Sequence, residues 1–324
     1  MPAERSAKVL SVLSITLPIF AIIAVGFLAV RYGPFSRDTM RALGDYTMMI
    51  ALPCALFHAV AGRDFAEVID ASYLGTLAIA GLATHALMWG LARMQQAGPK
   101  RRALAVLASA TPNSAFLGYP IFLMVIPDHA APVLAMNLLI ENFLLTPIGL
   151  TLLGSAREDG EARLPPLKLA GQIILSVLRR PLIIGLILGM ATVLAGVELP
   201  SVIERFTGIL GTAASPLALT VIGGSLVGLN LRGDLRLASL IAGTKLLIHP
   251  LMIFCAIALF AALGWPALGP ELRIGVLLTG CLPMFAIFTL FAQEVGHEGL
   301  ASLALMLATG LSFLTINLAL VLLV

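Results

Sequence analysis

The chain has 324 residues, of which 59% are hydrophobic and 11% charged, and its mean hydropathy is +1.02. Such a composition excludes a soluble domain and indicates an integral membrane protein. The net charge of +3 is small and the basic residues sit in short loops, which excludes a nucleic-acid partner; Cys54, Cys255 and Cys281 lie in apolar runs without CxxC spacing, so they are expected to be reduced and buried, with no metal or cofactor implied.

A helix needs about 20 apolar residues to cross the hydrocarbon core. Reading from charge to charge gives ten candidate spans, at roughly 11–31, 40–61, 71–93, 103–126, 131–153, 180–197, 206–229, 237–263, 273–293 and 299–324. The segment after Lys8 is uncharged up to Arg31, long for a signal-peptide core, and is read as a retained first helix. Residues 169–180 are too short to span and end in Arg179-Arg180, which suggests a connector lying at the interface. The expected fold is therefore all-α and multi-pass, with the lipid bilayer as its first partner.

Basic residues stay on the cytoplasmic side of short loops. With ten spans, one side carries Arg31, Arg37, Arg41, Arg93, Lys100, Arg101, Arg102, Arg157, Arg163, Lys168, Arg179, Arg180, Arg232 and Arg236, fourteen residues. The other carries Arg5, Lys8, Arg63, Arg205 and Arg273, five residues, and Lys245 is left inside a span. This asymmetry places both termini outside the cytoplasm.

The two halves can be laid over one another by their helix breakers. Pro53 lies 12 residues after Arg41 and Pro216 lies 11 after Arg205, while Pro112 and Pro283 each lie 10 after Arg102 and Arg273. The match divides the chain into a five-helix repeat over 1–153, a polar linker over 154–168 and a second repeat over 169–324. An odd number of helices per repeat inserts the second copy upside down, the inverted-repeat plan of many secondary carriers.

Two spans are interrupted at corresponding places: the fourth at Thr111-Pro112-Asn113-Ser114 and Gly118-Tyr119-Pro120, the ninth at Cys281-Leu282-Pro283. Such a pair is the best sequence pointer to a transporter's central site. Proline removes a backbone donor and clashes with the preceding turn, so Pro112 and Pro283 free polar groups at a depth where lipid satisfies none. Freed groups and half-helix ends can hold an anion at an N-terminus or a cation at a C-terminus. Thr111, Asn113 and Ser114 on one helix, with Thr279, Cys281 and Thr289 on the other, are the side chains expected around them.

Ionisable residues inside spans are costly and normally face a cavity or a partner. Glu141 falls near mid-depth of the fifth span, beside Asn142 and four residues after Asn137; Lys245 lies in the eighth, followed by His249 on the same face and by Pro250. A Glu141 to Lys245 pair could be opened by protonation of the carboxylate, or could be a permanent structural pin. His58 and His85 read as satisfied or interfacial histidines. No HExxH, GxSxG or Walker-type loop occurs and no two carboxylates share helical spacing inside the membrane, so an enzyme is excluded and gradient-driven transport is favoured.

The run from Thr111 to Ile121, with its Asn, Gly and Pro pattern, resembles the fourth helix of the auxin efflux carrier family, within the bile acid/auxin transporter-like superfamily. Leu282-Pro283 followed by Phe291-Ala292-Gln293-Glu294 is similar to the ninth-helix signature of that family, and 51–57 and 245–250 add supporting pieces. The likeness covers nearly the whole chain; the long central loop of plant members is missing, which brings it closer to bacterial members. The resemblance implies a scaffold of helices 1, 2, 6 and 7 and a transport domain of helices 3–5 and 8–10, with helices 4 and 9 crossing at Pro112 and Pro283, near Pro120. It also implies Asn113 as a substrate-site asparagine, alternating access without ATP, export or carriage of small organic acids such as malonate, and dimers. Where plant members carry a more polar run after the second proline, this chain has Met284-Phe285-Ala286, so auxin specificity does not carry over.

The expectation is thus a secondary carrier of a small organic anion in a bacterial inner membrane. Asn113, Ser114, Thr111 and Thr289 are expected at the substrate; Pro112, Pro120 and Pro283 are the helix breaks. Glu141 and Lys245 are expected to support the site or couple it to protons. A sodium-coupled organic anion symporter is the runner-up, and a non-transporting receptor or sensor is the reading from another class.

Overall fold

The computed structural model of the protein describes residues 2–61, 63, 68–156 and 166–323. Most of the expected linker, 157–165, lies outside the described residues. The described residues are helical apart from turns and one isolated backbone bridge. In chain order the helices are α1 (Pro2–Arg31), α2 (Arg37–Ala61), α3 (Ala71–Met94), α4 (Pro99–Ala110), α5 (Ser114–Val125) and α6 (Pro127–Ser155). They continue as α7 (Pro166–Leu178), α8 (Pro181–Leu194), α9 (Ser201–Ser225), α10 (Leu235–Ala262), α11 (Pro270–Cys281), α12 (Phe288–Glu294) and α13 (Glu298–Leu323). Among the described residues seven helices, α1, α2, α3, α6, α9, α10 and α13, are long and apolar enough to cross a membrane, and α5 and α8 are shorter apolar helices.

The side chains are sorted for lipid rather than water. Leu17, Phe206, Leu251, Phe254, Leu314 and Leu318 are all more than half exposed, whereas Thr16, Thr84, Asn137, Lys245, His249 and Thr279 are fully buried. Apolar surface outside and hydrogen-bonding groups inside is the arrangement a hydrocarbon solvent selects. The cysteines depart from expectation: all three are free, but only Cys281 is buried, and Cys255 is exposed on α10.

Prolines shape the helices more than the spans alone suggest. Wide π-turns occupy Thr47–Ala51, Ser114–Gly118, Glu141–Leu145 and Thr244–Ile248, and each ends two residues before a proline: Pro53, Pro120, Pro147 and Pro250. A proline ring would strike the carbonyl four residues back in regular α geometry. Here the residue just before each proline bonds five back instead: Leu52 to Thr47, Tyr119 to Ser114, Thr146 to Glu141 and His249 to Thr244. The helix swells by one residue and continues past the proline, as π-turns at functional places often do. Two of the swollen turns carry Glu141 and Lys245.

The most extensive packing falls in two sets of neighbours, which also touch each other where α1 meets α13 and α9 meets α5. Helix α1 lies along α9, and α2 lies along α8 and α9; separately, α3 lies along α4 and α10, α4 along α6, and α10 along α11 and α13. The first set meets at small residues: a Cβ on Gly223 would run into the Ile23 carbonyl, and one on Gly185 would come within 2.6 Å of the Pro53 carbonyl. Helices α4 and α11 each stop short and resume as α5 and α12. At the interruption Pro112 and Met284 pair as an antiparallel bridge. The Asn113 amide donates to the Pro283 carbonyl at 2.8 Å and the Phe285 amide to the Thr111 carbonyl at 3.3 Å, so each break satisfies part of the other.

Candidate functional site

The breaks leave helix ends deep in the body, and the sequence supplies partners for them. A helix C-terminus leaves its last carbonyls without intrahelical donors. At the end of α11, Thr279 O accepts from the Leu282 amide at 3.4 Å, Gly280 O from Lys245 Nζ at 2.9 Å and Cys281 O from Thr315 Oγ1 at 3.1 Å. Lys245 is fully buried, and its position at a helix C-terminus sets a cation against the negative end of the helix dipole. At the start of α5 the Asn113 carbonyl accepts from the Leu117 and Gly118 amides, at 3.1 and 3.0 Å. The amides of Ser114, Ala115 and Phe116 form the first turn, which has no intrahelical acceptors.

Next to the crossing lies a buried polar cluster centred on Asn137. The Ser114 hydroxyl donates to the Glu141 carboxylate and accepts from Asn137 Nδ2 at 3.2 Å. The second hydrogen of the same amide goes to Thr279 Oγ1 at 2.8 Å, whose own proton goes to Gly275 O at 2.8 Å. Tyr73 donates to Asn137 Oδ1 at 2.7 Å. Asn137 thus uses both donors and its acceptor, tying α3, α5, α6 and α11 together at one point. The Glu141 side chain is brought onto Ser114 by the π-turn that begins at that residue.

The expected site residues do not all converge. Asn113 is 7% exposed, and its side-chain amide makes no hydrogen bond to any described residue, while Ser114 touches Glu141 directly. The Thr111 hydroxyl is turned back onto the Leu107 carbonyl of its own helix, so Thr111 contributes to the crossing through its backbone. Thr289 lies beyond the break, partly exposed, with its hydroxyl on Ala286 O at 2.9 Å, away from the cluster. Glu141 and Lys245 make no direct ion pair: the carboxylate is held by Ser114 and the ammonium by the Gly280 carbonyl. Each has been claimed by a group freed near a helix break. His85 also departs from the sequence reading, since it is 4% exposed and neither ring nitrogen has a partner.

Tyr73 escaped the sequence reading altogether. Its only signal was that a tyrosine buried in a membrane core needs a hydrogen-bond partner. In the sequence Asn137 stands out only through its spacing from Glu141, and its central place depends on tertiary contacts that spacing does not encode.

Outside the apolar region, Asp234 caps α10 by accepting from the Leu237 amide at 3.1 Å and pairs with Arg101 near the start of α4. The Leu237 amide and then the Arg101 guanidinium hold its carboxyl below the usual carboxylate range. His297, in the turn before α13, is pushed below the usual imidazole range by partial burial and by the nearby charges of Arg101 and Lys100. These contacts fasten the starts of α4 and α10 to one another.

Residues 11–320 match the family described as "Membrane transport protein". A protein of Rhizobium meliloti (strain 1021) named "Putative malonate transporter" is 23% identical over 309 residues, covering 94% of this chain and 93% of the relative. Both comparisons point to transport and not to an enzyme, in agreement with the multi-pass apolar architecture. The family match runs almost from end to end, and the chain belongs to this membrane transport family, that of the auxin efflux carriers.

Proposed function

We propose that the protein is a secondary carrier of a small organic anion, a mono- or dicarboxylate of malonate size, that works by alternating access in an inner membrane. The observation that carries this reading is the side-chain amide of Asn113, buried at the head of α5 beside the mutual break of α4 and α11 and without a hydrogen bond to any described residue. A carboxylate there would accept from Asn113 Nδ2 and from the open amides of the first turn, where the helix dipole favours negative charge. The name of the Rhizobium relative supports a dicarboxylate of this kind. Ser114 passes the state of the site to Glu141, and Glu141 and Lys245 together couple the site to protons; Lys245 also holds the C-terminal end of α11.

On this reading there are ten spans, with α4 and α5 forming the fourth and α11 and α12 the ninth, arranged as two inverted repeats. Helices α1, α2, α8 and α9 form the scaffold and the remaining spans form the transport domain, in keeping with the two sets of packing neighbours. Both termini face away from the cytoplasm, and two copies associate as a dimer.

The test is uptake of labelled malonate and a panel of mono- and dicarboxylates into proteoliposomes, with an imposed pH gradient, an imposed sodium gradient or neither. Accumulation driven by the pH gradient supports the reading, and accumulation driven only by sodium replaces the proton with sodium. If no anion crosses, with or without a gradient, the carrier assignment fails.

A further inference from the structure

Three ring nitrogens in the middle of the helical body lack protein partners. His85 on α3 and His249 on α10 are buried, and both nitrogens of His85 and Nε2 of His249 meet no hydrogen-bonding atom. Polar atoms left bare in such a place are destabilising, so a buried group of this kind calls for a small hydrogen-bonding ligand. Helices α3 and α10 are packed along one another, and His249 reaches across to Thr84, the residue before His85.

The tautomer of His249 follows from its neighbour. Thr84 gives its one hydroxyl proton to Ala80 O at 2.7 Å, so its oxygen, 3.1 Å from His249 Nδ1, is an acceptor and Nδ1 carries the hydrogen. Nε2 is then a bare lone pair. Lys245 precedes His249 by four residues on α10, and its Nζ donates to the Gly280 carbonyl at 2.9 Å, next to Cys281 on α11; Glu141 on α6 is held across the crossing by Ser114. His249 therefore lies one helical turn from the lysine that closes the broken helix, with His85 next to its partner Thr84.

We propose that His85 and His249 form a proton-loading site, filled by water or hydronium, that exchanges one proton with the Lys245 amine during the transport cycle. The transfer balances without redox change. The Nε2 lone pair takes a proton from hydronium and leaves water; the imidazolium then passes it, through water, to an unprotonated Lys245 amine, leaving neutral imidazole and an ammonium. Either form of the amine keeps a hydrogen for the Gly280 carbonyl. Loading thus changes the charge at the end of α11 without breaking the contact that holds it. The inference rests on the gradient-driven carrier reading, which the experiment below tests separately.

Two measurements decide it. In proteoliposomes, His85→Gln should keep anion exchange at symmetric pH within about twofold of the parent, yet lose gradient-driven accumulation, which a one-unit pH gradient supports at about tenfold per coupled proton. Accumulation at the parent level overturns the proposal, and so does loss of exchange in a well-folded variant, because the residue would then serve the substrate path. The second measurement uses isotope-labelled histidine in the lipid-embedded protein, where five histidines make assignment by substitution practical. His249 should titrate, and its midpoint should move by more than about half a pH unit in Lys245→Gln, as coupled groups require. A signal that never titrates, or a midpoint that stays put, overturns the pair. If the parent carries no anion at all, the carrier reading falls, while the histidine titration still decides this site.

Discussion

Asn113 and Asn137 are both buried asparagines beside the helix breaks, and the proposed function gives them opposite roles. Asn137→Ala removes three hydrogen bonds, to Ser114, to Thr279 and from Tyr73. At a net worth of about 0.5 to 1.5 kcal/mol each, the loss is about 1.5 to 4.5 kcal/mol, before any cost of leaving the Tyr73 hydroxyl with only its long contact to Thr279. Asn113→Ala removes no hydrogen bond to a described residue, so its effect on folding should stay under about 1 kcal/mol. Thermal unfolding in detergent reads the difference: about 2 °C or more per kcal/mol for a chain of this size should lower the Asn137→Ala midpoint by several degrees and leave Asn113→Ala near the parent. Substrate affinity should move the other way, with about a tenfold loss or more in Asn113→Ala because a bound carboxylate loses its partner in a water-poor site. If Asn113→Ala is as unstable as Asn137→Ala and binds anion normally, the division into site and brace is wrong.

Three further outcomes follow from other parts of the molecule. Cysteines introduced at Ala3 and after Val324, in a background without native cysteines, should react with an impermeant thiol reagent from outside, whereas one at Glu161 should react only after lysis; labelling at Glu161 in intact cells overturns the topology. Because its carboxyl is held below the usual range, Asp234 contributes stability that is complete above the unfolded value of about 3.9 and is lost as pH falls through the lower folded value. Unfolding midpoints of Asp234→Ala and the parent should therefore differ at neutral pH and converge in strong acid. Gly223→Ala should destabilise by about 1 to 3 kcal/mol in thermal unfolding, since the added methyl meets the Ile23 carbonyl of α1 rather than a side chain that can turn away.

Span positions were legible because they depend on local composition alone: the expected 71–93, 131–153 and 237–263 fall on α3, α6 and α10 with small end shifts. The interruptions at Pro112 and Pro283 were legible for the same reason, since a proline acts on its own helix. Partner choice was not. Lys245 was expected opposite Glu141 because those are the two opposite charges in the spans, yet a carbonyl released at the end of α11 competes successfully for the ammonium. Thr111 and Thr289 are available as hydroxyls in the sequence, but each lies within reach of a carbonyl three or four residues back, at Leu107 at the end of α4 and at Ala286 in the turn before α12, and a threonine so placed commonly closes that local bond. Spacing shows which residues share a face; it does not show which of several acceptors a buried donor takes.

The π-turns connect these observations. Glu141 is the first residue of one swollen turn and Lys245 the second residue of another, and each swelling is enforced by a proline two residues past its end. Pro147 and Pro250 are remote from the crossing in sequence, yet they decide how the helix is wound where the carboxylate reaches Ser114 and the ammonium reaches Gly280. Rewinding either turn to α geometry would break the five-back bond of Thr146 or His249 and drive the proline ring against the carbonyl four residues back, so each swelling is a fixed feature of its helix. The two ionisable side chains nearest the crossing are thus aimed by windings that Pro147 and Pro250 fix, so replacing either proline should move Glu141 off Ser114 or Lys245 off Gly280.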